Sequence, residues 1–276
     1  MTEKVTRASA ALLALGALAY TAWVLEVVVG TGLDPVRTYV SELAAADQPL
    51  GGLFRATDLV AGVLVLTGAA TWLAGRVATA DRSALYGRPL ASAGRVASVG
   101  RLTFAAGRVA LHGRPRASAD RFTIAGWTAL AVFGAATAVD SRLPLSCAPT
   151  ADPLCAARET AGLVPATHTA HAVSSGLAMT GALVAMVALT VAARRHGRWR
   201  PLARTGPVLV VLELVATGWT LAAVAAFEAG KGVWALGAGQ RSQVLLVALW
   251  LAVLAYSLAT EKDPIPATVP TPEEER

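Results

Sequence analysis

The chain has 276 residues, a mean hydropathy of +0.54, 55% hydrophobic residues and only 15% charged ones, where an ordinary soluble domain carries about 25% charge. That composition excludes a disordered chain, a coiled coil and a secreted disulfide scaffold. The formal charge of +6 is distributed as on a cytoplasmic membrane face, so no nucleic-acid partner is expected.

A helix needs about 20 apolar residues to cross some 30 Å of hydrocarbon. Six blocks of that kind follow one another, at about 8–30, 57–75, 122–140, 170–193, 207–229 and 243–260. They predict an all-α polytopic membrane protein, a single six-helix transmembrane domain over residues 1–260. The first block follows Lys4 and Arg7 and contains Ala17-Leu18-Ala19, so a signal peptide is one reading. The apolar run continues to Gly30, beyond the 7–15 residues of a signal core, and is read as an uncleaved first span.

Lys and Arg then orient the bundle. With the N-terminus inside, the inner segments hold 18 of these residues and the outer segments six. The expectation is N-in and C-in, in the cytoplasmic (inner) membrane. The outer loops fall at about 31–56, 141–167 and 230–242. The inner loop 76–121 repeats Gly-Arg at 87–88, 94–95, 100–101, 107–108 and 113–114. That spacing winds the Arg positions around a helix axis, so a surface-lying connector is expected. The tail 261–276, rich in Pro and Glu, is expected to be disordered.

Polar residues in apolar places carry the functional reading. Cys147 and Cys155 lie in one outer loop, CAPTADPLC, where the oxidising side favours a disulfide. Two free thiols are the alternative. His168 and His171 open the fourth span in HTAHAVSS, and on a helix they share a face with Ser175. Asp140 ends the third span, and Asp58 lies just inside the second. An ionisable residue within a span is a functional-site hypothesis by default. Asp58, Asp140, His168 and His171 are therefore candidate catalytic residues. His168, His171 and Asp140 are a candidate metal set, with Zn as the possible cofactor. Structural pairing of Asp58 with Arg55 or Arg241 is the competing reading. Ser41 and Glu42, in TYVSELAAADQPL, join Arg55 and Arg241 as candidate binding residues, and Ser41 is a candidate N-cap. Glu213 lies inside the fifth span without an assigned role. Glu26 and Glu228 are read as hydrated helix ends.

The segments YVSELAA (39–45), FRATDLVAG (54–62), DSRLPLSCAPTADPLC (140–155), HTAHAVSS (168–175) and GQRSQ (239–243) together resemble a bacterial membrane family, domain of unknown function 998. The resemblance spans roughly residues 10–260. It implies six helices with the polar motifs gathered on the outer side. The Gly-Arg loop looks like an expansion of the family pattern. More distantly, the chain is similar to multi-span proteins that organise lipids and to transmembrane hydrolases such as alkaline ceramidases, although it lacks a third outer His. Three functional expectations follow. The first is binding or organising membrane lipid at the outer leaflet. The second is metal-dependent lipid hydrolysis at an outward-facing His/Asp site. The third is proton- or solute-coupled transport using Asp58 and Glu213.

Overall fold

Within hydrocarbon a backbone has no water to bond, so apolar segments must close their own hydrogen bonds as helices. The computed structural model describes residues 3–86 and 114–261, with side chains over 3–79 and 121–261. The helices are α1 (Glu3–Tyr20), α2 (Gly51–Tyr86), α3 (Arg114–Asp140), α4 (Pro153–Thr160), α5 (Ala166–His196), α6 (Arg200–Glu228) and α7 (Leu236–Ala259). No strand occurs among the described residues. All but the eight-residue α4 contribute to six segments long and apolar enough to cross a membrane. Neighbours α1–α2, α2–α3, α3–α5, α5–α6 and α6–α7 pack on each other, and α7 returns against α1 to close the ring.

Small residues set how closely the helices approach. A Cβ added at Gly62 would meet the Ala138 backbone nitrogen at 2.5 Å, and one at Gly134 would meet the Leu66 nitrogen at 2.5 Å. The α2–α3 crossing therefore rests on two glycines facing each other, as membrane helices often arrange. Inside the ring, Trp72 stacks on Trp127 with centroids 4.5 Å apart and planes 9° from parallel. Phe133, Met186, Leu251 and Leu254 fill the same core. Val63, Val184, Val211, Val215 and Leu221 point outward and are exposed, as a lipid-facing surface requires.

Helix boundaries in the first half of the chain differ most from the hydropathy blocks. The first span stops being α-helical at Tyr20 and continues as a 3-10 turn over Ala22–Val27. The helix of the second span begins at Gly51 and runs on to Tyr86, and that of the third begins at Arg114. Hydropathy marks only the part of a helix inside hydrocarbon, whereas the backbone ladder continues wherever nothing breaks it. The expected connector 76–121 is thus helical at both ends. Its centre, 87–113, and the tail residues 262–276 lie outside the described residues.

One end of the ring carries the irregular chain. There a 3-10 turn, Val40–Ala44, lies on α2 and α7. The loop after α3 leads into α4. Asp152 caps that helix by accepting from the Leu154 N–H, and Pro153 occupies its first turn. Cys147 and Cys155 are disulfide-bonded, with Cα atoms 6.0 Å apart.

Candidate functional site

The loop between α1 and α2 is held by buried polar contacts. Arg241 of α7 forms a two-pronged ion pair with Glu26, at 2.6 and 2.7 Å, and donates to the Thr38 carbonyl at 2.7 Å. Both partners are buried. Arg55 donates to the carbonyls of Ala44 and Ala45, at 2.6 and 3.2 Å. The Val40 N–H donates to Gln240 Oε1 at 2.6 Å. Two expectations are corrected here. Glu26 is not a hydrated helix end, because the 3-10 turn swings it inward onto Arg241. Arg55 and Arg241 are not the partners of Asp58, because backbone carbonyls and Glu26 already occupy them. Glu228 is exposed, as expected.

Glu42 is also a structural residue. It is fully buried, and Thr150 donates to it through the backbone N–H at 2.7 Å and the hydroxyl at 2.5 Å. This ties the loop between α1 and α2 to the disulfide loop. Ser41 makes no capping bond, since the cap position of the turn is Tyr39. Burial pushes the Glu42 carboxyl up to about 7, against the lowering effect of the Thr150 hydrogen bonds. The folded state therefore holds this proton more tightly than the unfolded chain, where a Glu titrates near about 4.3. Its contribution to stability is complete below that value and is lost as pH rises through about 7. The apparent melting temperature of the wild type should fall between about pH 5 and about pH 8. In Glu42→Gln that fall should be smaller. Parallel pH profiles for the two proteins would show that Glu42 does not carry the effect.

The two histidines part company. His168 Nδ1 accepts from the Ser146 N–H at 3.1 Å and lies 2.9 Å from the Ser146 hydroxyl. Its proton then sits on Nε2, which lies 3.4 Å from Glu159 without a hydrogen-bond partner. His168 thus braces the disulfide loop. His171 faces the other way. Its Nδ1 is 3.1 Å from Asp140 Oδ1, but off the alignment of a hydrogen bond, and its Nε2 is 3.2 Å from the Ser175 hydroxyl. Ser174 also donates to Asp140, and Ser175 lies 3.1 Å from both Asp140 oxygens. The expected set of His168, His171 and Asp140 is not assembled. Among the described residues no three His, Cys, Asp or Glu side chains are grouped to hold a metal ion. His168 is in the first turn of α5, where the adjoining loop captures it.

Asp58 and Asp140 line one pocket at this end of the ring, with about 100 Å³ of internal space. Its lining also includes the polar residues Ser41, Ser175 and Gln240 and the aromatic or aliphatic residues Tyr20, Trp23, Phe54, Met179 and Val244. Asp58 lies within electrostatic range of Asp140 and His171. Tyr20 lies within range of Asp58, Glu213 and Asp140. Glu213 does not line the pocket; it is buried, accepts from the Thr217 hydroxyl at 3.4 Å and lies beside Gln243. Sequence reasoning missed Tyr20, Trp23 and Gln240 as pocket residues. Only Gln240, inside the GQRSQ segment, carried a signal. Chemically, the site offers carboxylates and hydroxyls beside aromatic and aliphatic surface. The Ser175 hydroxyl lies at nearly equal distance from both Asp140 oxygens and from His171 Nε2, at 3.1, 3.1 and 3.2 Å. No aligned Asp–His hydrogen bond orients the imidazole as a general base requires.

A family model described as Protein of unknown function (DUF998) matches residues 13–110 and 83–257. No curated protein and no solved structure matches the chain.

Proposed function

The chain belongs to the DUF998 family, and from that premise we propose that it is a lipid-binding protein of the cytoplasmic membrane. In this reading both termini are cytoplasmic, and the pocket of Asp58 and Asp140 receives a lipid at the outer leaflet. The excess of Lys and Arg in the inner segments supports the orientation. One observation carries the ligand class. The pocket is lined by both carboxylates and hydroxyls and by Phe54, Met179 and Val244, a mixture that suits a polar headgroup joined to apolar chains. Hydrolysis is not favoured, because the metal ligands are not grouped and His171 lacks an aligned carboxylate.

The test is native mass spectrometry of protein released from lipid nanodiscs. The wild type should retain a lipid-mass adduct through delipidation. Ala178→Trp, which fills the pocket from α5, and Ser41→Trp, which blocks its rim, should lose most of it. Equal adducts on folded wild type and both variants would place the lipid elsewhere and end this reading.

A further inference from the structure

We propose that the ligand of this pocket carries an ammonium group, primary or quaternary, and that Asp58 is its counter-ion. The inference rests on the lipid-binding reading and names the headgroup chemistry.

Charge balance is the starting point. Asp58 and Asp140 both line the pocket, and no Lys or Arg does. Arg241 is committed to Glu26 and Thr38, and Arg55 to the carbonyls of Ala44 and Ala45; Arg37 and Arg142 are exposed, and Arg158 is exposed beside Cys147. The two carboxylates do not stand alike. Asp140 is satisfied by Ser174 and Ser175. Asp58 makes no hydrogen bond and no ion pair among the described residues, although it faces the pocket one helical turn from the Gly62–Gly134 crossing. A carboxylate so placed is costly without an opposite charge.

The walls select the kind of cation. Tyr20, Trp23 and Phe54 border the same space, and aromatic rings attract ammonium groups through their electron-rich faces. A hard metal ion wants six or more oxygen ligands; the donor beside these carboxylates is the His171 imidazole, 3.1 Å from Asp140, and among the described residues no three His, Cys, Asp or Glu side chains are grouped to hold a metal ion. An ammonium needs only one or two carboxylates and an aromatic surround. It can arrive on an aminophospholipid or as a free amine.

The experiment measures binding by the full-length protein in nanodiscs, comparing phosphatidylethanolamine with phosphatidylglycerol and adding free ethanolamine as competitor. The wild type should prefer phosphatidylethanolamine by about tenfold or more, the range of one charge-assisted hydrogen bond. Asp58→Asn should lose the preference while still binding phosphatidylglycerol, which also shows that it is folded. Asp58→Glu should keep much of the preference. Displacement by free ethanolamine at concentrations comparable to the lipid would support the ammonium and assign it to a soluble amine. Equal binding of both lipids by the wild type would overturn the ammonium and leave the lipid pocket standing. No binding of either lipid or of ethanolamine would overturn both.

Discussion

Arg241→Ala is expected to be the most damaging single substitution, costing about 3–5 kcal/mol, the range for breaking one half of a buried ion pair. The variant leaves the Glu26 carboxylate buried and unpaired, and it removes the donor to the Thr38 carbonyl. Glu26 and Arg241 are 215 positions apart, so the loss also releases the 3-10 turn Ala22–Val27 from α7. Thermal unfolding in detergent reads the effect directly. Pairing Glu26→Leu with Arg241→Met should recover much of the loss, because apolar replacement of both partners removes the stranded charge. A single Arg241→Ala variant that melts with the wild type would show that the pair is solvated.

Gly62→Val is expected to have the next largest effect. Its Cβ would lie 2.5 Å from the Ala138 nitrogen and 2.7 Å from the Gly134 carbonyl oxygen. Both obstacles are backbone, so α2 and α3 must move apart. Overpacking of this kind costs about 1–3 kcal/mol, and with no flexible neighbour to yield, the upper end applies. Asp58 is one turn along α2 from this crossing, and Asp140 lies along α3 from Gly134. Separation of the two helices should therefore also weaken ligand retention in the pocket. Gly218→Val is the internal control, because nothing lies within 4 Å of a Cβ added there. Equal loss of melting temperature at positions 62 and 218 would contradict the close-crossing argument.

Several features of the site were open to sequence reasoning because they are local. The aligned face of His171 and Ser175 follows from their separation of four along a helix, and it appears as the 3.2 Å contact between them. The pairing of Cys147 with Cys155 needs only a short loop. His168 shows where locality ends. It sits three residues before His171, yet Ser146, 22 positions away, decides its direction. Ser41 and Glu42 show the same limit. The expected cap role falls away because the turn begins at Tyr39, and Glu42 is directed by Thr150, 108 positions distant.

The all-helical class and the six apolar segments were legible in the sequence, and the cysteine pair was favoured there. These depend on run length, periodicity and short loops, and such properties survive in one dimension. Which charges meet was legible only in the packed helices. Arg241 was available to Asp58 and took Glu26; Arg55 was available to Asp58 and took the carbonyls that close the 3-10 turn. Partner choice among buried charges is settled by which groups the packed helices bring within about 3 Å, where a charge-assisted hydrogen bond forms. A sequence lists those groups without their distances. Asp58, which makes no hydrogen bond among the described residues, is what remains once Arg55 and Arg241 are taken, and distances alone reveal it.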